Sequence, residues 1–315
     1  MTNRVTDILH IKYPIIQGGM GNISDPELAI AVSEAGGLGT IGSGTLPASE
    51  LKKKLQRVKE NTNKHYCVNI PINMSPDIEG ILELIIDFGV PAVSLSAGNP
   101  ADIIPYLKEH NIKVICVSST VKQAKKAEDA GADLIVCEGY EAAGINAPNE
   151  STTMTLVPQI VKAVSIPIVA AGGVADGKGL AAALCLGASG VQMGTRFIAT
   201  KEAAFHESYK QSIIESNDQS TIIVGRKFQK IRRILKTPYV EKLIELERTN
   251  NSYAYVEKTD EYYHKLGAID GDLDNGFVNG GQISGLIDDC PTVAELLEDM
   301  VKQAKNTLSN QIQIL

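Results

Sequence analysis

Eight short, almost continuously apolar stretches recur at intervals of about 25 residues through the first two hundred positions, each followed by a longer amphipathic one. The apolar stretches are "YPIIQGGM" (13–20), "LGTIGSG" (38–44), "YCVNIPI" (66–72), "PAVSLSAGN" (91–99), "KVICVSST" (113–120), "DLIVCEG" (133–139), "IPIVAAGG" (166–173) and "SGVQMGTRF" (189–197). Between them lie seven segments with helical spacing, such as "DPELAIAVSEAGG" and "DIEGILELIIDFG". Strands without polar alternation, joined by crossover helices, form a parallel sheet covered on its outer face. Eight such units close into an α/β fold, the (β/α)8 TIM barrel, which then needs an eighth helix. "TVAELLEDMVKQAKN" supplies one, with Val293, Leu296, Leu297, Met300, Val301 and Ala304 on a single face. Residues 201–290 interrupt the rhythm with charge and tyrosine, and read as a mostly helical lid inserted at the mouth of a barrel built from 1–200 and 291–315. A doubly wound open sheet is the alternative architecture.

Composition narrows the partners. A formal net charge of -7 argues against nucleic acid or an anionic membrane surface. No apolar run approaches the roughly 20 residues of a membrane span, and "MTNRVTDILH" lacks the apolar core of a signal peptide. Five scattered cysteines (Cys67, Cys116, Cys137, Cys185, Cys290) without a C-x-x-C pair favour reduced thiols over disulfides or a metal site. Cys116 and Cys137, inside strands, read as core thiols. The expectation is a cytoplasmic protein with a small-molecule substrate; a homodimer is left open.

In a barrel the site is built at the carboxyl ends of the strands. Here those ends are Gly18-Gly19-Met20, Gly42-Ser43-Gly44, Asn69-Ile70-Pro71, Ala97-Gly98-Asn99, Ser118-Ser119, Glu138-Gly139, Ala171-Gly172-Gly173 and Gly194-Thr195. Small residues leave room for a broad flat ligand and let backbone N–H groups approach it. The last two ends occupy the usual phosphate position of such barrels. There Gly172, Gly173, Gly194 and Thr195 offer amide donors, and the Thr195 hydroxyl offers another. A flat ligand with one phosphate points to FMN.

The segments "YPIIQGGM", "AGGLGTIGSG", "VNI", "AGNP", "STTMTLVPQIV", "IPIVAAGGVADGKG", "VQMGTRF" and "GGQISGLI" (280–287) together resemble the nitronate monooxygenase (2-nitropropane dioxygenase) family, itself related to the flavin-type enoyl-acyl-carrier-protein reductase II. The resemblance spans nearly the whole chain and implies a barrel with a lid and a non-covalent FMN across the strand ends. It implies that Gly18, Gly19 and Met20 line the flavin ring, that Asn69 hydrogen-bonds it, and that Glu138 lies near its ribityl side. Gly172, Gly173, Gln192, Met193, Gly194 and Thr195 would hold the ribityl phosphate, and Gly144 joins the cofactor-lining set.

One segment departs from the pattern. Where the family carries E-[AS]-G-G-H-x-G, this chain reads Glu141, Ala142, Ala143, Gly144, Ile145, Asn146, so the catalytic histidine is replaced by Ile145. His10, His65 and His110 fall at the wrong end of the barrel; His206 and His264 lie in the lid. The candidates left for catalysis are Asn146, as a donor to a substrate oxygen, Tyr140 and His264. Glu141 is a further candidate for the pocket wall. "GRKFQKIRRILKTP" gathers Arg226, Lys227, Lys230, Arg232 and Arg233, which suit either an anionic partner or a solvated face. Because a nitronate is already deprotonated, losing an imidazole harms its oxidation less than it harms reactions that move a proton. What the resemblance implies is FMN-dependent oxidation of small nitronates by O2, and that is the expected function. The alternative is an NAD(P)H-dependent enoyl-thioester or quinone reductase, and a third reading is a flavin-binding protein without turnover.

Overall fold

A computed structural model describes residues 3–312. Its barrel strands are β1 (Ile15–Gln17), β2 (Gly39–Gly42), β3 (Tyr66–Pro71), β4 (Ala92–Ser96), β5 (Lys113–Ser118) and β6 (Leu134–Glu138). A two-residue strand, β7 (Gly144–Ile145), follows outside the barrel. Then come β8 (Ile168–Ala171) and β9 (Gly190–Met193), and, in the lid, β10 (Thr221–Val224) and β11 (Arg232–Leu235). All eight barrel strands are parallel, in the order β1-β9-β8-β6-β5-β4-β3-β2. A single bridge, Ile16 to Leu38, closes β1 onto β2 and excludes the open sheet. At that seam the buried Gln17 side chain accepts from the Thr40 N–H at 3.2 Å, so a side chain does part of what a ladder bond does elsewhere.

Alternation along the strands sorts the core into two compartments. Ile16, Leu38, Cys67, Ala92, Ile115, Leu134, Val136 and Val169 face inward and fill the barrel. Their neighbours Ile15, Ile41, Val68, Val93, Val114, Ile135 and Val191 face outward against the helices. A short helix that the sequence reading did not anticipate, Arg4–Leu9, stops the amino-terminal end by adding Val5 and Leu9 to the interior. Its start is signalled by Asn3, whose side chain accepts from the N–H groups of Val5 and Thr6. The closing helix, Val293–Ile312, packs against the helix Gly177–Cys185. Among the described residues no helix is long and apolar enough to cross a membrane.

The stretch between β9 and the closing helix contains helices Glu207–Ile214, Tyr239–Arg248, Ser252–Lys258 and Glu261–Ala268. Beside the helices of the mostly helical expectation, it contributes two strands to a three-stranded antiparallel sheet, β10-β11-β7. Its third strand comes from the loop after β6, with Ile145 opposite Arg232 and Gly144 opposite Arg233. The loop that departs from the family pattern is thus sewn into the lid.

Candidate active site

The carboxyl ends of the barrel strands meet under this lid. On β1, a Cβ added to Gly18 would stand 3.5 Å from Gln192, and one added to Gly19 only 2.6 Å from Asn69. Only at Gly19 does the close approach exclude a side chain; at Gly18 a Cβ would make ordinary contact with Gln192. The two N–H groups of Asn69 Nδ2 are shared among three acceptors, the Ser94 carbonyl (3.2 Å), Ser94 Oγ (3.3 Å) and Ser96 Oγ (3.2 Å), leaving its oxygen toward Gly19. Met20 donates its N–H to Ser24 Oγ at 3.1 Å.

On the opposite side, Gly172 (φ +91°) and Gly173 (φ +76°) adopt a left-handed backbone that only glycine enters without strain. Among the described residues, their N–H groups and that of Gly194 have no backbone acceptor in the loops. No atom comes within 4 Å of where a Gly194 Cβ would be. Met193 is buried against the outer core, so its backbone, not its side chain, faces this place. Thr195 Oγ1 accepts from the Gly281 N–H at 3.1 Å, which keeps its own hydrogen available to donate. Unspent donors beside open space fit a phosphate. The Glu141 carboxylate lies 3.7 Å from the Gly173 Cβ position, yet its charge is already taken up by the N–H and hydroxyl of Thr153 at 2.9–3.0 Å. Glu141 thus caps the helix Thr153–Val161 instead of lining a pocket wall.

The catalytic candidates land in three different settings. Asn146 is buried, and its Nδ2 donates to the Ala142 and Gly144 carbonyls at 3.0 and 3.1 Å. Its donors tie the loop down, which corrects the expectation that they reach a substrate. Tyr140 is half-buried; its hydroxyl accepts from Arg226 at 2.6 Å, and the Arg233 guanidinium sits 5.1 Å from its ring centre. Burial, then the contact with Glu150, raise the Tyr140 hydroxyl above its ordinary range, so it is not poised to ionise. His264 is 3% exposed, stacked on Phe277 with centroids 5.1 Å apart, and placed 3.0 Å from Asn279 Nδ2. Asn279 lies 3.7 Å from the Gly144 Cβ position, so His264 touches the mouth only at second hand. Ile145, at the family's histidine position, is 50% exposed.

Three further residues went unrecognised in the sequence: Asn279, Glu261 and Phe277, which join the lid to the mouth. The Glu261 carboxylate lies 3.5 Å from the Gly21 Cβ position, just beyond β1. Burial alone would raise it, but His264, Arg232 and the Asn22 N–H outweigh burial and hold it below the usual carboxylate range. No spacing in the chain links residues 21, 144, 261 and 279. The basic segment also resolves differently from either reading of it. Arg232 and Arg233 are buried, Arg226 pairs with Glu150 at 2.7 Å, and Lys227 and Lys230 remain exposed. Arg196, after the phosphate loop, pairs with Asp289 at 2.7 Å.

Glu138 closes β6 with its side chain turned the same way as Leu134 and Val136, into the mouth. It is partly exposed, and it lines a small cavity with Ser119, Tyr140, Asn146 and Asn149. Burial pushes its carboxyl up to about 7.

Comparison with known proteins fits this geometry. The chain is 40% identical to FabK from Thermotoga maritima, with a TM-score of 0.95 and all of both chains covered. It is 33% identical to a probable nitronate monooxygenase of Staphylococcus saprophyticus, covering 98% of this chain and 99% of that protein. It is 31% identical to the (3aS,4S,5R,7aS)-5-hydroxy-7a-methyl-1-oxo-octahydro-1H-indene-4-carboxyl-CoA dehydrogenase of Mycobacterium tuberculosis, covering 95% of each. The family model described as nitronate monooxygenase matches residues 2–80 and 72–303. A closed barrel with glycine-lined strand ends and end-to-end likeness to these enzymes makes this chain an oxidoreductase belonging to the nitronate monooxygenase family, whose members are flavoproteins.

Proposed function

We propose that this chain binds FMN and uses electrons from NAD(P)H to reduce the carbon–carbon double bond of an α,β-unsaturated thioester. The observation that carries the reading is the likeness to FabK, the flavin-type enoyl-acyl-carrier-protein reductase, at higher identity than to the nitronate enzymes and without gaps in coverage. The coenzyme A thioester dehydrogenase among the relatives supports the same substrate class. The residues fit the cofactor. Gly172, Gly173, Gly194 and Thr195 would hold its phosphate, Gly18 and Gly19 would let its ring approach the β1 backbone, and Asn69 and Gln192 would meet its polar edge. When bound, FMN supplies the hydride chemistry, while the protein supplies orientation, dryness and protons. The lid lies over these strand ends, with Glu261 beside Gly21 and Asn279 beside Gly144.

A second reading, oxidation of small nitronates by O2, is favoured by the family match and by Ile145 at the histidine position, because a nitronate has no proton to give up. Anaerobic stopped-flow separates the two. Bleaching of the flavin by NAD(P)H, followed by recolouring with crotonyl-CoA, is the expected result. Bleaching by propyl nitronate and not by NAD(P)H would overturn the reductase reading in favour of the second.

A further inference from the structure

Reduction of an enoyl thioester consumes a proton as well as a hydride, and Ile145 cannot supply one. We propose that Glu138 is the acid of this site, handing a proton to the substrate's α-carbon from the cavity it lines with Ser119, Tyr140, Asn146 and Asn149; the inference rests on the reductase reading above. Three features of its placement carry the argument. Glu138 ends β6 on the inward face, so its carboxyl opens into the mouth and not into the outer helix layer. It belongs to the same strand-end loop as Ile145, and the intervening turn is held rigid by Asn146 on the Ala142 and Gly144 carbonyls. Among the described residues no cation compensates it.

The charged groups around that loop are all committed elsewhere. Arg226 is on Glu150, Arg233 donates to the Tyr140 carbonyl at 3.0 and 3.1 Å, and Arg232 lies over Phe277 at 4.9 Å. Glu141 is saturated by Thr153, and the Cys137 thiol, buried on the outer side of β6, is pushed up to about 12. Tyr140 is raised as well. An uncompensated carboxyl at this half-buried strand end is raised by burial alone and kept largely protonated near neutral pH.

The balance of the step is simple. NAD(P)H would supply one hydride, that is two electrons with one proton, for the β-carbon, and bound FMN would be its carrier. The α-carbon takes the Glu138 proton as the double bond breaks, the resulting carboxylate recovers a proton from water, and the sum is enoyl thioester, NAD(P)H and H+ giving saturated thioester and NAD(P)+.

Glu138→Gln and Glu138→Asp test this in the holoenzyme. Difference infrared spectroscopy of the wild type should show a protonated carboxyl that titrates out near about 7 and is missing from Glu138→Gln. In rapid mixing, recolouring of Glu138→Gln by crotonyl-CoA should slow on the order of 100-fold more than its flavin reduction by NAD(P)H does, and Glu138→Asp should recover part of the loss. A wild type that recolours while Glu138→Gln matches it within about twofold at every pH overturns the proposal alone. A wild-type carboxyl that does not titrate in this range overturns it too. Failure of crotonyl-CoA to recolour even the wild type overturns the reductase reading and the proposal together.

Discussion

Gly19 shows how one missing atom shapes the site: a Cβ there would stand 2.6 Å from Asn69, whereas at Gly194 nothing lies within 4 Å, so the small strand-end residues are small for different reasons. Residue types were legible in that way; their partners were not. Asn146 looked like a free amide because nothing in "GINAPN" reveals that its donors turn back on its own loop. Glu138 was legible as a strand-end carboxyl, but its lack of a counter-ion depends on where three distant arginines point. Its raised carboxyl has a thermodynamic consequence. At pH 4 the group is largely protonated in both folded and unfolded chains and contributes little. Between the unfolded value of roughly 4.3 and about 7, only the unfolded chain ionises freely, so stability falls with rising pH and the penalty is complete above that window. Glu138→Gln should therefore be close to neutral at pH 4 and stabilising by about 1–3 kcal/mol at pH 8, as read from urea unfolding. An equal gain at both pH values would refute the linkage.

At the scale of the element, strands β1 to β6, β8 and β9 were recoverable because burial on both faces leaves continuous apolar runs. β7 was invisible. Two residues, Gly144 and Ile145, carry no period, and they become a strand only because β11 arrives from the lid to pair with them. Arg233 fastens that junction, donating from Nε and Nη2 to the Tyr140 carbonyl at 3.1 and 3.0 Å. A lysine keeps the charge but cannot reproduce the two-pronged contact. Arg233→Lys should speed amide exchange across 140–146 by about tenfold, equivalent to roughly 1.4 kcal/mol of local opening, with little change in the global unfolding midpoint. Hydrogen exchange by mass spectrometry would read this directly. Uniform acceleration over the whole chain would mean that the contact supports global stability instead.

For the whole molecule, closure depends on the chain returning after a long excursion through the lid. The helix Val293–Ile312 comes back to the barrel so closely that a Cβ on Gly177 would stand 2.3 Å from the Met300 carbonyl and 2.6 Å from the Ala304 nitrogen. Gly177→Ala must push the two helices apart, and a loss of about 1–3 kcal/mol is expected in a single cooperative transition, with the strand ends undisturbed. Thermal unfolding, alongside FMN titration, would check both halves; an unchanged melting point would show that the helix docks loosely. The sequence by itself determined the barrel and the rim of small residues, because these follow from periodicity and side-chain size, which are local and additive along the chain; the family came from the likeness of its ordered motifs. The tertiary structure alone decided which polar groups are satisfied and which are left free. The Asn279–His264 contact, the place of Glu261 beside Gly21 and the solitary Glu138 depend on residues far apart in the chain meeting in a medium where an unmet charge is costly.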